Sequence, residues 1–197
     1  MSAVSTCNGV EATKALAQRL RQTLHSERLL IAPVCGEFAE RSFALYEDKA
    51  LYEWIGLNRP RSVESLRADW RRMETPLSPE GHEAWLCWQL QCTATGQVIG
   101  MVDADVNIKG VATNLGYYIF VPYWRNGYAL EACVRVMQHL IANGVHTVLA
   151  TVTVGNLASK NLLHKLGFVY RQLLKDNDEL RGKPVDDWEF MYLHPSA

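Results

Sequence analysis

Apolar residues recur along this chain with two alternating periods. Residues 83–92 (EAWLCWQLQC), 97–108 (QVIGMVDADVNI) and 112–121 (ATNLGYYIFV) are β-patterned runs joined by the turn residues TATG and KG. Three such runs with short connections predict an antiparallel meander. The spacing then becomes helical over 128–144 (YALEACVRVMQHLIANG), with Ala132, Val136, Leu140 and Cys133, Met137, Ile141 on one face and Asn143-Gly144 as a left-handed stop. A β-branched run at 146–154 (HTVLATVTV), a short helix at 157–167 closed by Gly167, and two strands, FVYRQLLK and DDWEFMYLHP, complete this half. Ahead of the meander, ERLLIAPV (27–34) predicts a first strand ending at Pro33, where the backbone donor is lost. Two helices are expected at 37–56 and 62–74, the second capped by Ser62, followed by a proline-rich loop at 75–82. Residues 10–23 combine good helix formers with a thin apolar face, which predicts a helical extension (1–25) outside the core of a single domain (26–197). The resulting order is β-α-α-β-β-β-α-β-α-β-β, a mixed α/β chain without repeats.

Composition narrows the partners. A chain of 197 residues that is 48% hydrophobic buries one core, and 20 Lys plus Arg against 21 Asp plus Glu leave no field that calls for nucleic acid or an anionic membrane. The five cysteines form no Cys-x-x-Cys pair and read as reduced thiols, while the six histidines are dispersed, so neither disulfides nor a metal site is expected. No apolar run approaches the roughly 18 residues of a membrane span, and the N-terminus lacks a signal-peptide pattern, which predicts a soluble, cytoplasmic protein.

The chemistry concentrates at VPYWRNGYALEA (121–132), a strand running through a glycine turn into a helix. Such a turn presents unpaired N–H groups and the positive end of the helix dipole, which favour a phosphate. A glycine there serves the steric demand of the turn equally well. WRNGYA (124–129) resembles the pyrophosphate loop of the GNAT acetyltransferases, Gln/Arg-x-x-Gly-x-Gly/Ala, with Gly127 and Ala129 at the small positions. Trp124 in place of the usual first residue resembles the branch of the RimJ/RimL-type ribosomal-protein N-terminal acetyltransferases. SERLLIAP, LGYYIFVPYW and NLASKNLLHKLGF (156–168) match that branch in the same order, over about residues 26–194.

The resemblance implies an α/β (α+β) fold with a mostly antiparallel central sheet of about six or seven strands, splayed near its middle. It implies acetyl-CoA as co-substrate, bound by Phe120, Val121, Arg125, Asn126, Gly127, Tyr128 and Ala129 of the loop region and by Asn156, Ser159 and Lys160 of the following helix. The acceptor implied is a primary amine, on a protein N-terminus or a small molecule, attacking directly in a ternary complex formed by a monomer or homodimer. An antibiotic, polyamine or amino acid remains open as acceptor, as does a module that binds acyl-CoA without transfer. Leu163 occupies the position where many relatives carry a tyrosine acid, which leaves Ser159, or Tyr170 on the next strand, to protonate the thiolate. The base is sought in KDNDEL, at Asp176, Asp178 or Glu179, with Asp178 carried forward; solvated loop charges are the alternative. Asp186 and Asp187 read equally as strand-edge protection. Trp54 and Trp70 read as core, with Arg71 and Arg72 covering it.

Overall fold

The computed structural model describes residues 3–195. In chain order its elements are α1 (Ala3–Leu20), β1 (Leu24–His25), β2 (Leu29–Pro33), α2 (Ala39–Phe43), α3 (Val63–Met73), β3 (Glu83–Cys92), β4 (Val98–Asn107), β5 (Val111–Ile119), α4 (Tyr128–Ala142), β6 (Thr147–Thr153), α5 (Leu157–Lys165), β7 (Val169–Leu180) and β8 (Lys183–Leu193). The strands form one sheet in the order β1-β2-β3-β4-β5-β6-β8-β7. It has eight strands rather than six or seven, because the two-residue β1 is too short to carry a period.

Every strand pair is antiparallel except β5 with β6, and that parallel pair holds only at Val111↔Thr147 and Ala112↔Val148. Beyond Ala112 the two strands diverge, so Tyr117, Tyr118 and Ile119 run along an open edge in mid-sheet. The pairing is set at Gly110, whose backbone passes so close to Gly144 that a Cβ would stand 2.6 Å from its carbonyl oxygen.

Alternation sends the two faces of the meander into different cores. Leu86, Trp88, Leu90, Val102, Ala104 and Val106 pack with α1, α4 and α5, while Val98, Met101 and Phe120 pack with Tyr46, Leu51, Leu66 and Trp70 on the opposite face. α3 begins with Ser62 Oγ accepting from Ser65 N and Ser65 Oγ accepting in return from Ser62 N.

Three expectations are corrected. The N-terminal helix does not lie outside the core: Leu16, Ala17 and Leu20 are buried against it, and Trp88 Nε1 donates to the Gln22 carbonyl at 2.9 Å. Its face looked thin because Thr13 and Ala17 supply half of an i, i+3, i+4, i+7 stripe. The helix expected over 37–56 is broken into α2 and short 3₁₀ turns, since Asp48 turns to an extended backbone and its side chain accepts from Ala50 N, an Asx arrangement that competes with helix. The last two strands are longer than their apolar runs, so KDNDEL lies in β7 rather than in a loop, its first three residues inside a bulge between Leu174 and Asp178. Among the described residues no helix is long and apolar enough to cross a membrane.

Candidate active site

The open edge of β5 faces the N-termini of α4 and α5, and a cleft of about 640 Å³ lies between them, within the usual size range for a small-molecule site. Ile119, Trp124, Arg125, Gly127, Tyr128 and Ala129 form one wall. Arg125 (φ 62) and Gly127 (φ 78) both take the left-handed backbone, which curls the loop. Asn126 holds that curl from outside by donating through Nδ2 to the carbonyls of Tyr123 and Trp124 at 3.1 and 2.9 Å. Gly127 is the N-cap of α4 and no side chain caps that helix, whereas α3 and α5 are capped by Ser62 and Asn156. The first N–H groups of α4 are therefore open toward the cleft, as an anion site requires.

Arg28 braces this loop from the bend between β1 and β2. Its Nε donates to Glu131 at 2.7 Å, its Nη1 donates to the Asn126 carbonyl at 3.0 Å, and its guanidinium lies 4.5 Å over the Tyr128 ring. Glu131 also accepts from Ser26 Oγ at 2.7 Å, and these bonds hold its carboxyl below the usual range despite opposing burial. The Ser-Glu-Arg segment seen in the sequence thus pins the helix behind the loop.

α5 supplies the facing wall through Asn156, Leu157, Ala158, Ser159, Asn161, Leu162 and Lys165. Asn156 Oδ1 accepts from Ser159 N at 3.1 Å, which satisfies the helix start and aims Ser159 into the cleft. Ser159 Oγ lies 2.7 Å from the Tyr117 hydroxyl. Burial pushes the Tyr117 phenol well above its ordinary value, so it stays protonated across the physiological range. Tyr117 escaped the sequence analysis because one tyrosine of a Tyr-Tyr pair carries no mark of which face it takes. Leu163, where the missing tyrosine would stand, is fully buried core.

Several expected residues lie elsewhere. Phe120 does not face the cleft; its ring is fully buried in the second core and its N–H donates to the Ile99 carbonyl at 2.9 Å, so Tyr117, Tyr118 and Ile119 line the edge instead. Val121, next in the chain, opens a 3₁₀ turn and packs at the rim of that core. Lys160 is turned one helical step away, its Nζ 4.8 Å from the Trp188 ring, leaving Lys165 and Arg125 as the cleft's cations. Tyr170 is 53% exposed beside Phe190 on the edge strand, outside the cleft. Trp54 lines the cleft rather than the core, over Gly155. Asp178 is exposed, with its Oδ1 accepting from Glu179 N, and stands against Gly56; Asp176 and Glu179 are exposed on the same strand. Asp187 is not at a sheet edge, since β8 runs between β6 and β7; it is 3% exposed, with Oδ2 accepting from Asn177 and Oδ1 without a partner. Asp186 accepts from Asp176 N.

A second cavity, of about 840 Å³, opens on the other face of the meander, and the two cavities share one lining residue, Tyr118. Its floor carries Asp103 and Asp105 of β4, two successive outward positions of one strand. Asn114 Nδ2 donates to Asp103 Oδ2 at 2.8 Å. Burial pushes the Asp103 carboxyl up to about 6, and burial together with the Asp103 charge pushes Asp105 up to about 7. Gly116 makes room for this arrangement, because a Cβ there would stand 2.6 Å from both Asp103 oxygens. The sequence concealed the pair: VDADV reads as ordinary alternation with polar residues facing water.

A family model for the acetyltransferase (GNAT) domain matches residues 28–169. The chain is 25% identical over 174 residues to the N-acetyltransferase YoaA of Bacillus subtilis, covering 87% of this chain and 97% of that one. In fold it is similar to RimL, a ribosomal L7/L12 alpha-N-protein acetyltransferase solved with coenzyme A, at TM-score 0.76 and 16% identity over 88% and 98% of the two chains. The microcin C7 self-immunity acetyltransferase MccE, solved with acetyl-CoA and AMP, superposes at TM-score 0.73 and 14% identity over 85% and 93%.

Proposed function

Because the chain belongs to the GNAT family of acetyltransferases, we propose that it transfers the acetyl group of acetyl-CoA to a primary amine by direct attack in a ternary complex in the cytoplasm. The observation that carries this is the meeting at Tyr118 of two cavities, one with an uncapped helix start and cations, the other with two carboxylates. The cofactor's pyrophosphate sits on the N–H groups of residues 125–129, and its thioester reaches the open edge beside Ser159 and Tyr117.

The acceptor arrives as an ammonium and gives a proton to the Asp103–Asp105 pair, whose raised values suit a base working near neutral pH. The free amine attacks the thioester carbonyl; a C–N bond forms and the C–S bond breaks. The departing thiolate takes a proton from the Tyr117–Ser159 hydroxyl pair, and the proton that the nitrogen loses as the amide forms returns to that pair. Cysteine chemistry is disfavoured, since burial pushes the Cys133 and Cys87 thiols far up, and the negative charge of Asp103 opposite Cys87 raises that thiol further rather than favouring its thiolate.

Initial velocities of thiol release, with acetyl-CoA and amine both varied, should give intersecting reciprocal plots. Parallel plots, with labelled acetyl retained on the protein, would replace the ternary complex by a covalent intermediate.

A further inference from the structure

The second cavity has a charge pattern that selects its occupant. Four charged residues line it: Asp103 and Asp105 on the floor, and Asp69 and Arg72 on α3, which pair with each other at the rim. Glu83 of β3 lies near Asp105 and accepts from Thr113, adding negative rather than positive charge. From β5 the floor meets only neutral groups, Asn114 and the Tyr118 hydroxyl, and among the described residues neither aspartate has an ion-pair partner. Two neighbouring carboxylates in a half-buried site without a counter-ion call for a cation from outside.

The walls define the rest of that cation. Trp85 stands opposite Asp105 in the β3–β4 register, and Trp70, Met73, Leu57 and Leu77 enclose the space above. These surfaces gain from apolar or aromatic contact and offer little to a peptide's amide groups, which would lose their hydration there unpaired. A second ammonium at the far end would find the rim carboxylate, Asp69, already paired with Arg72, or would meet these apolar walls.

We infer that the acceptor is a compact monoamine on an apolar or aromatic body, its ammonium held by Asp103 and Asp105 and its body against Trp70, Trp85 and Met73. This rests on the acetyltransferase reading and narrows it.

The test measures coenzyme A release by the full chain at saturating acetyl-CoA with three probes: 2-phenylethylamine, spermidine and a tetrapeptide with a free N-terminal serine. The expected result is a kcat/KM for 2-phenylethylamine at least about tenfold above the other two, the scale of burying one or two apolar groups. Trp85→Ala should raise the KM for 2-phenylethylamine while the acetyl-CoA affinity, read by calorimetry, stays put. Asp105→Asn should lower kcat/KM for the monoamine by about 10²-fold with acetyl-CoA binding intact, which also shows that the variant folds. Faster turnover of the peptide or spermidine than of the monoamine overturns this inference and leaves the acetyltransferase reading standing. Acetyl-CoA binding without thiol release for any probe overturns both.

Discussion

Ser159 and Tyr117 share one hydrogen bond of 2.7 Å, so under the proposed mechanism they would act on the leaving thiolate as a unit. Ser159→Ala and Tyr117→Phe should each lower kcat by about 10²-fold, with the double variant little worse than either single one, and the acetyl-CoA dissociation constant nearly unchanged. Tyr170→Phe should leave kcat unaltered, because that ring lies outside the cleft; steady-state kinetics on the four proteins decides. Asp103 carries a cost that its neutral isostere removes. Its folded value, raised from 3.8 to about 6, means that the folded state holds its proton more tightly than the unfolded chain does. The penalty is absent below about pH 4, grows between there and pH 6, and is complete above. Asp103→Asn should therefore be more stable than the parent at pH 8, by on the order of 1–3 kcal/mol after discounting for partial exposure, and equal to it at pH 3.5, as urea unfolding at both pH values would register. The same substitution should move the rise of kcat/KM with pH to lower pH, since Asp105 remains as a base and loses the Asp103 charge that helps to raise it.

At the scale of elements, the proposed cofactor loop leaves N–H groups open because a strand end, a left-handed turn and a helix start are joined without a capping side chain. Gly127 has room for a methyl group, with Arg28 Nη2 the nearest atom at 3.6 Å, but its φ of 78 does not suit an L side chain. Gly127→Ala should thus act through backbone strain, about 1–3 kcal/mol, and displace the N–H groups of α4. The expected outcome is a rise in the acetyl-CoA KM of at least about tenfold with a smaller change in the amine KM, measured by varying each substrate. The helices divide along similar lines. α3 was legible from Ser62 onward because its cap is local chemistry, whereas the break at Asp48 turns on one side chain bonding two residues ahead within a sequence of good helix formers. α1 read as lying outside the core and packs into it, since small residues make up half of its buried stripe.

At the scale of the whole molecule, acetyl-CoA bound as proposed would join the two halves of an opened sheet and draw on α4, α5 and Trp54, which caps a 3₁₀ turn. A ligand that binds only the folded state at about 100 times its dissociation constant adds about 2.7 kcal/mol. Thermal unfolding should therefore shift upward by several degrees with acetyl-CoA and not with NAD or ATP.

The chain by itself determined the element order, the meander, the glycine turn before α4 and the Asn156–Ser159 helix start, because each depends on the period or chemistry of adjacent residues. Those features sufficed to place it among the GNAT acetyltransferases. Tertiary structure decided the rest. The divergence of β5 from β6 follows from a two-residue register between strands 36 positions apart, and the partnership of Tyr117 with Ser159 spans 42 positions across that gap. Asp103 and Asp105 occupy polar positions of an alternating strand, which in most sheets face water. They became a candidate base only when α3 and the segments flanking it closed over that face and removed the water that would have kept both carboxyls acidic.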